Sequence, residues 1–302
     1  MSDYRILWPN ADEMIPKVRD TYVDTENVIE PIMALIDPSS SVGQPLNILL
    51  NGPHGLGKSL LAATVAVRLA EKLNKIVPVV TFDCSEDTFE IQLTGSARQV
   101  PGGETPFLPG PFPTTIHLAN EYGLCVFIVE EISALTPGAQ KVFNRLTDWR
   151  EGIYIPDVNK FFGLKEDCHV VIIANMNPSG YGGVYSLNDD LKSRFFPLDV
   201  GFPDTDSENE ILTTLCPWAD NGLVSQAVQI AQETRSHATE YSLSTRDLRS
   251  LLTAYCRLKA ANLSPEFALK SVVNKFEGSD KLTIADRVDA VFKTQLKALY
   301  AS

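Results

Sequence analysis

Asn47-Ile-Leu-Leu-Asn-Gly-Pro-His-Gly-Leu-Gly-Lys-Ser59 is a short apolar run that feeds directly into a glycine-rich turn ending in Lys-Ser. The spacing of Gly52, four residues, then Gly57-Lys58-Ser59 is the full pattern of a phosphate-binding loop, or P-loop. Its context fits as well. Leu46 to Leu50 reads as a buried strand, and Ser59 to Asn74 as an amphipathic, alanine-rich helix. Glycines at 52, 55 and 57 let the backbone turn so that successive N–H groups point at one oxyanion, and the helix N-terminus adds its positive dipole end. In this pattern Lys58 reaches the β and γ phosphates and the Ser59 hydroxyl sits on Mg²⁺. The stretch Gly52, Pro53, His54, Gly55, Leu56, Gly57, Lys58, Ser59, Leu60 is therefore expected to bind a nucleoside triphosphate.

The rest of the composition bounds the class. The chain has 302 residues, 44% apolar and 21% charged, as an ordinary globular protein does, and no apolar run approaches the length that spans a bilayer. Met-Ser-Asp-Tyr-Arg at the start carries no signal pattern. Cys84, Cys125, Cys168, Cys216 and Cys256 are widely separated, the usage of reduced cysteine in a cytoplasmic protein, and a structural role is expected for Cys84. His54, His117, His169 and His237 have no metal-ligand spacing. A net charge of −12 weighs against general affinity for nucleic acid, although a local basic pore remains open as an alternative.

From Leu46 to Phe202 the chain alternates apolar runs with helical patterns, which predicts a parallel sheet covered by helices. The runs are Leu46 to Leu50, Val77 to Asp83, Cys125 to Val129, Val170 to Ala174 and Phe196 to Val200, and their continuous hydrophobicity suits strands buried on both faces. Two irregular stretches, Gly95 to Pro113 and Gly152 to Asp167, read as inserted hairpins or loops. After Pro203 the pattern turns helical, with helices over Glu208 to Leu215, Val224 to Ser236, Ser244 to Ala261 and Pro265 to Phe276. An α/β core over 1–203 and a helical domain over 204–302 are expected.

A P-loop needs a partner that holds Mg²⁺ and activates water. Cys125-Val-Phe-Ile-Val-Glu-Glu131 ends in two acids at the C-terminal edge of a strand, where ligands bind in open α/β sheets. Glu130 is expected on Mg²⁺ through water, and Glu131 is expected to polarise the attacking water. The run Val170 to Pro178 ends in Asn175 and Asn177, whose amides can orient water or touch the γ-phosphate; an Asn-Pro turn is the alternative for one of them.

These ordered motifs resemble those of MoxR-type AAA+ ATPases, nearest to the CbbQ/NorQ-like branch, over about residues 20 to 275. They are Gly52 to Ser59 (Walker A), Ser85 to Gly95, Gly110-Pro-Phe-Pro, Val126 to Glu131 (Walker B), Ala174 to Pro178, Leu187 to Phe195 and Leu243 to Leu248. The resemblance implies a five-stranded parallel P-loop core with a small C-terminal all-helical lid, ATP and Mg²⁺ as cofactors, and ATP hydrolysis. It also implies a homo-oligomer, typically a hexameric ring, that remodels a client protein, often beside a partner with a von Willebrand A domain. Asn177, or failing that Asn175, corresponds to sensor 1, Arg194 to the arginine finger that reaches a neighbouring subunit, and Arg246 to sensor 2. Guanidinium donors at such places stabilise charge on a transferring phosphoryl group.

Two departures stand out. Glu130 replaces the usual Asp of Walker B, which moves the carboxylate by about one bond length and points to slow or partner-dependent turnover. Lys192-Ser193 precedes Arg194 where an acid is common. Phe107, Phe112, Tyr154, Phe161 and Phe162 in the two insertions offer either a surface for a client or pins that hold the loops to their own domain, and Tyr181 to Tyr185 is expected at the seam between subunits. Two other readings remain: a nucleic-acid-associated motor, for which Arg98, Lys160 and Lys165 are the modest basic candidates, and a non-hydrolysing nucleotide switch.

Overall fold

The structure is a computed structural model and describes residues 5–16, 21–99, 105–147, 152–178, 185–236 and 241–300. It divides into two compact units, one of residues 1–52 and 58–200, the other of residues 53–57 and 201–302.

In the first unit the chain runs α1 (Ile29–Ile36), β1 (Ile48–Asn51), α2 (Lys58–Leu73), β2 (Val79–Asp83), α3 (Glu90–Thr94), β3 (Gly95–Ala97), β4 (Phe107–Pro109), α4 (Pro111–Tyr122) and β5 (Leu124–Glu130). It continues through α5 (Pro137–Leu146), β6 (Gly152–Ile155), β7 (Lys160–Gly163), β8 (His169–Met176), α6 (Asp189–Lys192) and β9 (Phe196–Asp199). Five strands form one parallel sheet in the order β2-β5-β8-β1-β9. All five sequence-predicted runs lie in it.

Continuous hydrophobicity is what strands covered on both faces demand, and the central strands meet it; β9, at the edge of the sheet, does not, because it has a neighbour on one side only and Phe196 is 42% exposed. On β5, Cys125, Phe127 and Val129 enter one core while Leu124, Val126 and Ile128 enter the other, because successive side chains point to opposite faces. Leu61, Ala62, Val65, Ala66 and Leu69 of α2 fill the second face. Phe112 of α4 and Phe143 of α5 fill the first, meeting edge to face at 4.9 Å, and Phe112 meets Phe127 edge to face at 5.8 Å.

Both irregular stretches contain hairpins, β3–β4 and β6–β7, each antiparallel. The first ends earlier than the sequence suggests, because α4 begins at Pro111. Proline at the first helical position costs no hydrogen bond, so Pro111 starts a helix instead of prolonging a loop. Phe107, Phe112 and Phe162 are buried in the core, Phe112 on α4 and the other two holding the hairpins to their own domain; the cross-strand pair Tyr154 and Phe161 stays exposed.

The second unit is helical: α7 (Thr205–Leu215), α8 (Asn221–Ser236), α9 (Thr245–Ala260), α10 (Glu266–Val273), α11 (Gly278–Phe292) and α12 (Leu296–Tyr300). Helix α9 starts with a capping box formed by Ser244 and Asp247. Helices α11 and α12 extend past the four helical stretches named from the sequence. No described helix is long and apolar enough to cross a membrane.

One charged group sits inside this helical core. Glu208 is fully buried and takes two guanidinium bonds from Arg235, at 2.7 and 2.9 Å, and one from the Thr245 hydroxyl at 2.9 Å. Arg235 also donates to the Leu243 carbonyl, at 3.0 Å from Nε and 2.6 Å from Nη2, and lies over the Phe202 ring. The fork ties α7, α8 and the start of α9 together. Removing one partner leaves a buried uncompensated charge, so Glu208→Ala is expected to destabilise the protein by about 3–5 kcal/mol. The double change Glu208→Leu with Arg235→Met should cost less than either single truncation to Ala, and urea and thermal melts of the purified variants check both statements.

Candidate functional site

The site grows from the end of β1. Asn51 is the last residue of that strand, flanked by β8 and β9, and both neighbours pin the exit of the chain from the sheet. The Gly52 N–H donates to the Met176 carbonyl at 3.2 Å, and the Val200 N–H donates to the Asn51 carbonyl at 2.7 Å. A Cβ on residue 52 would lie 2.0 Å from the Val200 carbonyl oxygen, so only glycine lets the chain leave the sheet here. Gly55 and Gly57 take φ of +77° and +83°, the left-handed values that turn the loop.

Helix α2 then begins with the two residues whose chemistry matters most. Lys58 is buried, and its Nζ donates to the Gly52 carbonyl at 2.6 Å and to Asn177 Oδ1 at 3.2 Å. The Ser59 hydroxyl donates to Glu130 Oε2 at 2.8 Å. That oxygen also accepts from Asn175 Nδ2 at 2.7 Å, and the same amide lies 3.5 Å from Ser59 Oγ. Strand order explains the convergence: β5 and β8 are neighbours, β8 and β1 are neighbours, and all three end on the same edge.

Asn175 is 2% exposed, and its Oδ1 is buried without a hydrogen-bond partner. Such an orphan costs about 1–3 kcal/mol, and it sits beside the carboxylate and hydroxyl that a hydrated Mg²⁺ would take as ligands. Burial pushes the Cys84 thiol pKa up, and the nearby charges of Asp83, Glu130 and Glu131 push it further, although among the described residues no three acids converge as a metal-ligand group. The donor set therefore fits magnesium and a phosphate chain. Cys84 itself is a buried neutral thiol.

Next in the chain, Glu131 takes φ 53° and ψ 44°, a left-handed conformation at the start of a 3₁₀ turn. Glu131 is exposed. Asn175 and Asn177 thus both reach the cluster at different places, the first on Glu130 and Ser59, the second on Lys58. Arg194 lies just after α6, donating from Nη1 to the Thr147 carbonyl at 3.1 Å and from Nη2 to Asp190 at 3.3 Å. Of Tyr181 to Tyr185, only Tyr185 lies within the described residues, and its N–H donates to the Ser133 carbonyl at 2.6 Å.

In the second unit, residues 53–57 meet the first turn of α9. The Arg246 N–H donates to the Gly55 carbonyl at 3.2 Å, and the His54 ring lies 5.7 Å from that of Tyr241. Arg246 is exposed, whereas Pro53, Leu56 and Leu60 are half-buried.

A feature of the first unit went unread in the sequence. A cavity of about 520 Å³ is lined by Tyr22, Val28, Ile32, Leu50, Leu61, Leu198 and Val200 among others. It opens between the segment before α1, the end of β1 and the end of β9. Burial, then Asp24 and Glu26, push the Tyr22 phenol up to about 12, so it stays a protonated donor. The helical spacing of Val28, Ile32 and Leu35 was the available signal, but it marks an apolar face without saying that the face borders a cavity.

Comparison with known proteins bears on the fold. Residues 47–195 match the family model described as AAA domain (dynein-related subfamily). The uncharacterized protein YojN of Bacillus subtilis is 25% identical over 266 residues, 86% of this chain and 82% of that one. An uncharacterized protein of Staphylococcus haemolyticus is 22% identical over 232 residues, 75% and 81% of the two chains. Among solved structures, the Aeropyrum pernix ORC1 protein in complex with DNA superposes with a TM-score of 0.53 at 17% identity, covering 88% of this chain and 72% of that one, a likeness of fold alone. The glycine-rich loop, the Glu130–Glu131 strand end and the Asn175 strand all fall inside the stretch that is similar to this family.

Proposed function

We propose that this chain is a MoxR-type AAA+ ATPase that forms a ring, hexameric in the usual member, and uses ATP to remodel or activate a client protein. The observation that carries the ATPase part is the shared Glu130 oxygen: Ser59 and Asn175 converge on it beside an unpartnered buried amide carbonyl. Ser59 and Glu130 would hold Mg²⁺, which would supply charge neutralisation to the phosphate chain. The loop N–H groups and Lys58 bind the phosphates, with Lys58 exchanging its present carbonyl and amide partners for phosphate oxygens. Glu131 takes the proton of the attacking water as its oxygen bonds to the γ phosphorus, and ADP leaves with the electron pair of the broken P–O bond. Asn175 and Asn177 orient that water and the γ-phosphate. Arg246 acts on the nucleotide of its own subunit, and Arg194 acts on that of a neighbour after releasing Asp190.

The apolar cavity takes the base. Leu50, on the strand that leads into Gly52, and Val200, whose carbonyl lies against Gly52, both line it, so the cavity starts where the loop starts. Its volume lies within the range of small-ligand pockets. A client is met by exposed aromatic surface, of which Tyr154 and Phe161 on β6–β7 are the pair in the insertions. A partner with a von Willebrand A domain and a cytoplasmic setting belong to the same reading.

Three substitutions test these roles. Glu131→Gln should keep nucleotide binding and lower phosphate release by about 10²–10⁴-fold, the usual worth of a positioned base; unchanged turnover would remove Glu131 from the chemistry. Glu130→Asp shortens the reach to Ser59 and Asn175, so the Mg²⁺ concentration needed for half-maximal binding should rise, whereas a magnesium curve matching that of the unaltered protein counts against metal binding by Glu130. Leu198→Trp should fill the cavity and weaken ATP while leaving inorganic triphosphate affinity within twofold. Equal weakening of both ligands places the base elsewhere.

A further inference from the structure

The second unit contains a carboxylate with more partners than helix capping requires. A capping box asks the side chain at the third helical position to accept one backbone N–H. Asp247 Oδ2 accepts that bond from Ser244 at 2.8 Å, and it also accepts the Ser244 hydroxyl at 2.8 Å and the Tyr241 hydroxyl at 2.9 Å. Oδ1 takes the Lys275 ammonium at 2.5 Å, from the turn after α10. Lys275 also lies 5.4 Å from the Tyr241 ring centre, and Phe276 meets the same ring edge to face. Burial would raise the Asp247 pKa, but Lys275, Ser244 and Tyr241 hold it below the ordinary value, and Lys275 is raised in turn, so both stay charged at neutral pH.

This cluster fixes the beginning of α9, and the beginning of α9 touches the loop. Ser244 Oγ lies 2.3 Å from where a Cβ on residue 55 would stand. Tyr241 faces His54. The Arg246 N–H, one of the helix-terminal donors without an intrahelical partner, donates to the Gly55 carbonyl. In a trans peptide the carbonyl and the next N–H point in opposite directions. With the Gly55 carbonyl turned towards α9, the Leu56 N–H must therefore point away from α9.

We infer that the Asp247–Lys275 pair is a positioning device for the phosphate loop, setting the Gly55–Leu56 peptide through α9 so that the Leu56 N–H is presented to a phosphate oxygen. The inference rests on the nucleotide reading of the loop and adds to it a residue pair outside the site that sets nucleotide affinity. Lys275 is a positioning residue, since it reaches the loop only through Asp247, Tyr241 and α9. Its effect is on a preformed loop, so it should appear in binding more than in the chemical step.

The test uses the full chain and equilibrium titration with a fluorescent ATP analogue, together with steady-state phosphate release. Lys275→Met, which keeps the apolar stem, should raise Kd and KM by about tenfold, within the usual span of coupling between sites, with kcat within twofold. Lys275→Arg should restore most of the affinity. Lys297→Met, which removes an exposed cation paired with Asp286, should leave Kd unchanged. Asp247→Asn should weaken binding further, and a thermal melt shows whether α9 still forms in it. Unaltered protein that binds no nucleotide would defeat the nucleotide reading itself. Normal binding by the unaltered protein with the same Kd for Lys275→Met overturns the positioning role alone, as does a Lys275→Met variant that loses kcat and keeps KM.

Discussion

A single carboxylate oxygen, Oε2 of Glu130, organises this site. It accepts the Ser59 hydroxyl from the first turn of α2 and the Asn175 amide from β8, while its own strand, β5, lies beside β8. Those bonds can form only if β1, β8 and β5 end on one edge in that lateral order. Burial suits all three to the middle of the sheet, since each buries both faces and the parallel connections between them carry covering helices. Charge adds a second demand. Asp83, Glu130 and Glu131 cluster at the same edge, and Lys58 Nζ is occupied with Gly52 and Asn177. Three carboxylates stand there against the single ammonium of Lys58, whose hydrogen bonds do not neutralise it.

Glutamate at position 130 reads differently once its contacts are known. From sequence, the extra methylene relative to aspartate looks like a misplaced carboxylate. In the structure that length is used: the oxygen reaches Ser59 at 2.8 Å and Asn175 at 2.7 Å together. The carboxylate is held by two donors, so the longer side chain is compatible with a defined position. A loose acid is therefore no reason to expect slow turnover.

Much of the sheet and the phosphate loop is legible in the chain because both rest on local signals. Strands buried on two faces appear as unbroken apolar runs, and the loop has a fixed glycine spacing. The illegible features depend on distant partners. Phe107, Phe112 and Phe162 sit in stretches without periodicity, so nothing local separates an aromatic that packs inward from Tyr154 or Phe161, which do not. Pro111 reads as a loop residue until one sees that it occupies the first turn of a helix. Tyr22, Val28 and Ile32 border a cavity whose opposite wall comes from β9, about 170 residues later. The two asparagines at the end of β8 show the limit most clearly: spacing offers both, and only side-chain geometry separates the one on Glu130 from the one on Lys58.

Glu131 supplies an independent argument about the same edge. Seven non-glycine residues take a left-handed backbone among those described: Asn27, Asn74, Glu131, Asn159, Asp167, Asn262 and Lys293. Five are Asn or Asp, which tolerate this region because the short polar side chain bonds locally. Lys293 ends a helix, a common place for the conformation. Glu131 has neither excuse, standing between a buried strand and a 3₁₀ turn. Glycine or asparagine would relieve a strain of about 1–3 kcal/mol there. A glutamate in that place is better explained by what its carboxylate does than by what its backbone prefers. The same turn separates Glu131 from Glu130, leaving one acid bonded to Ser59 and Asn175 and the other exposed. Two adjacent acids thereby acquire different environments, which is what their proposed roles as metal ligand and proton acceptor require.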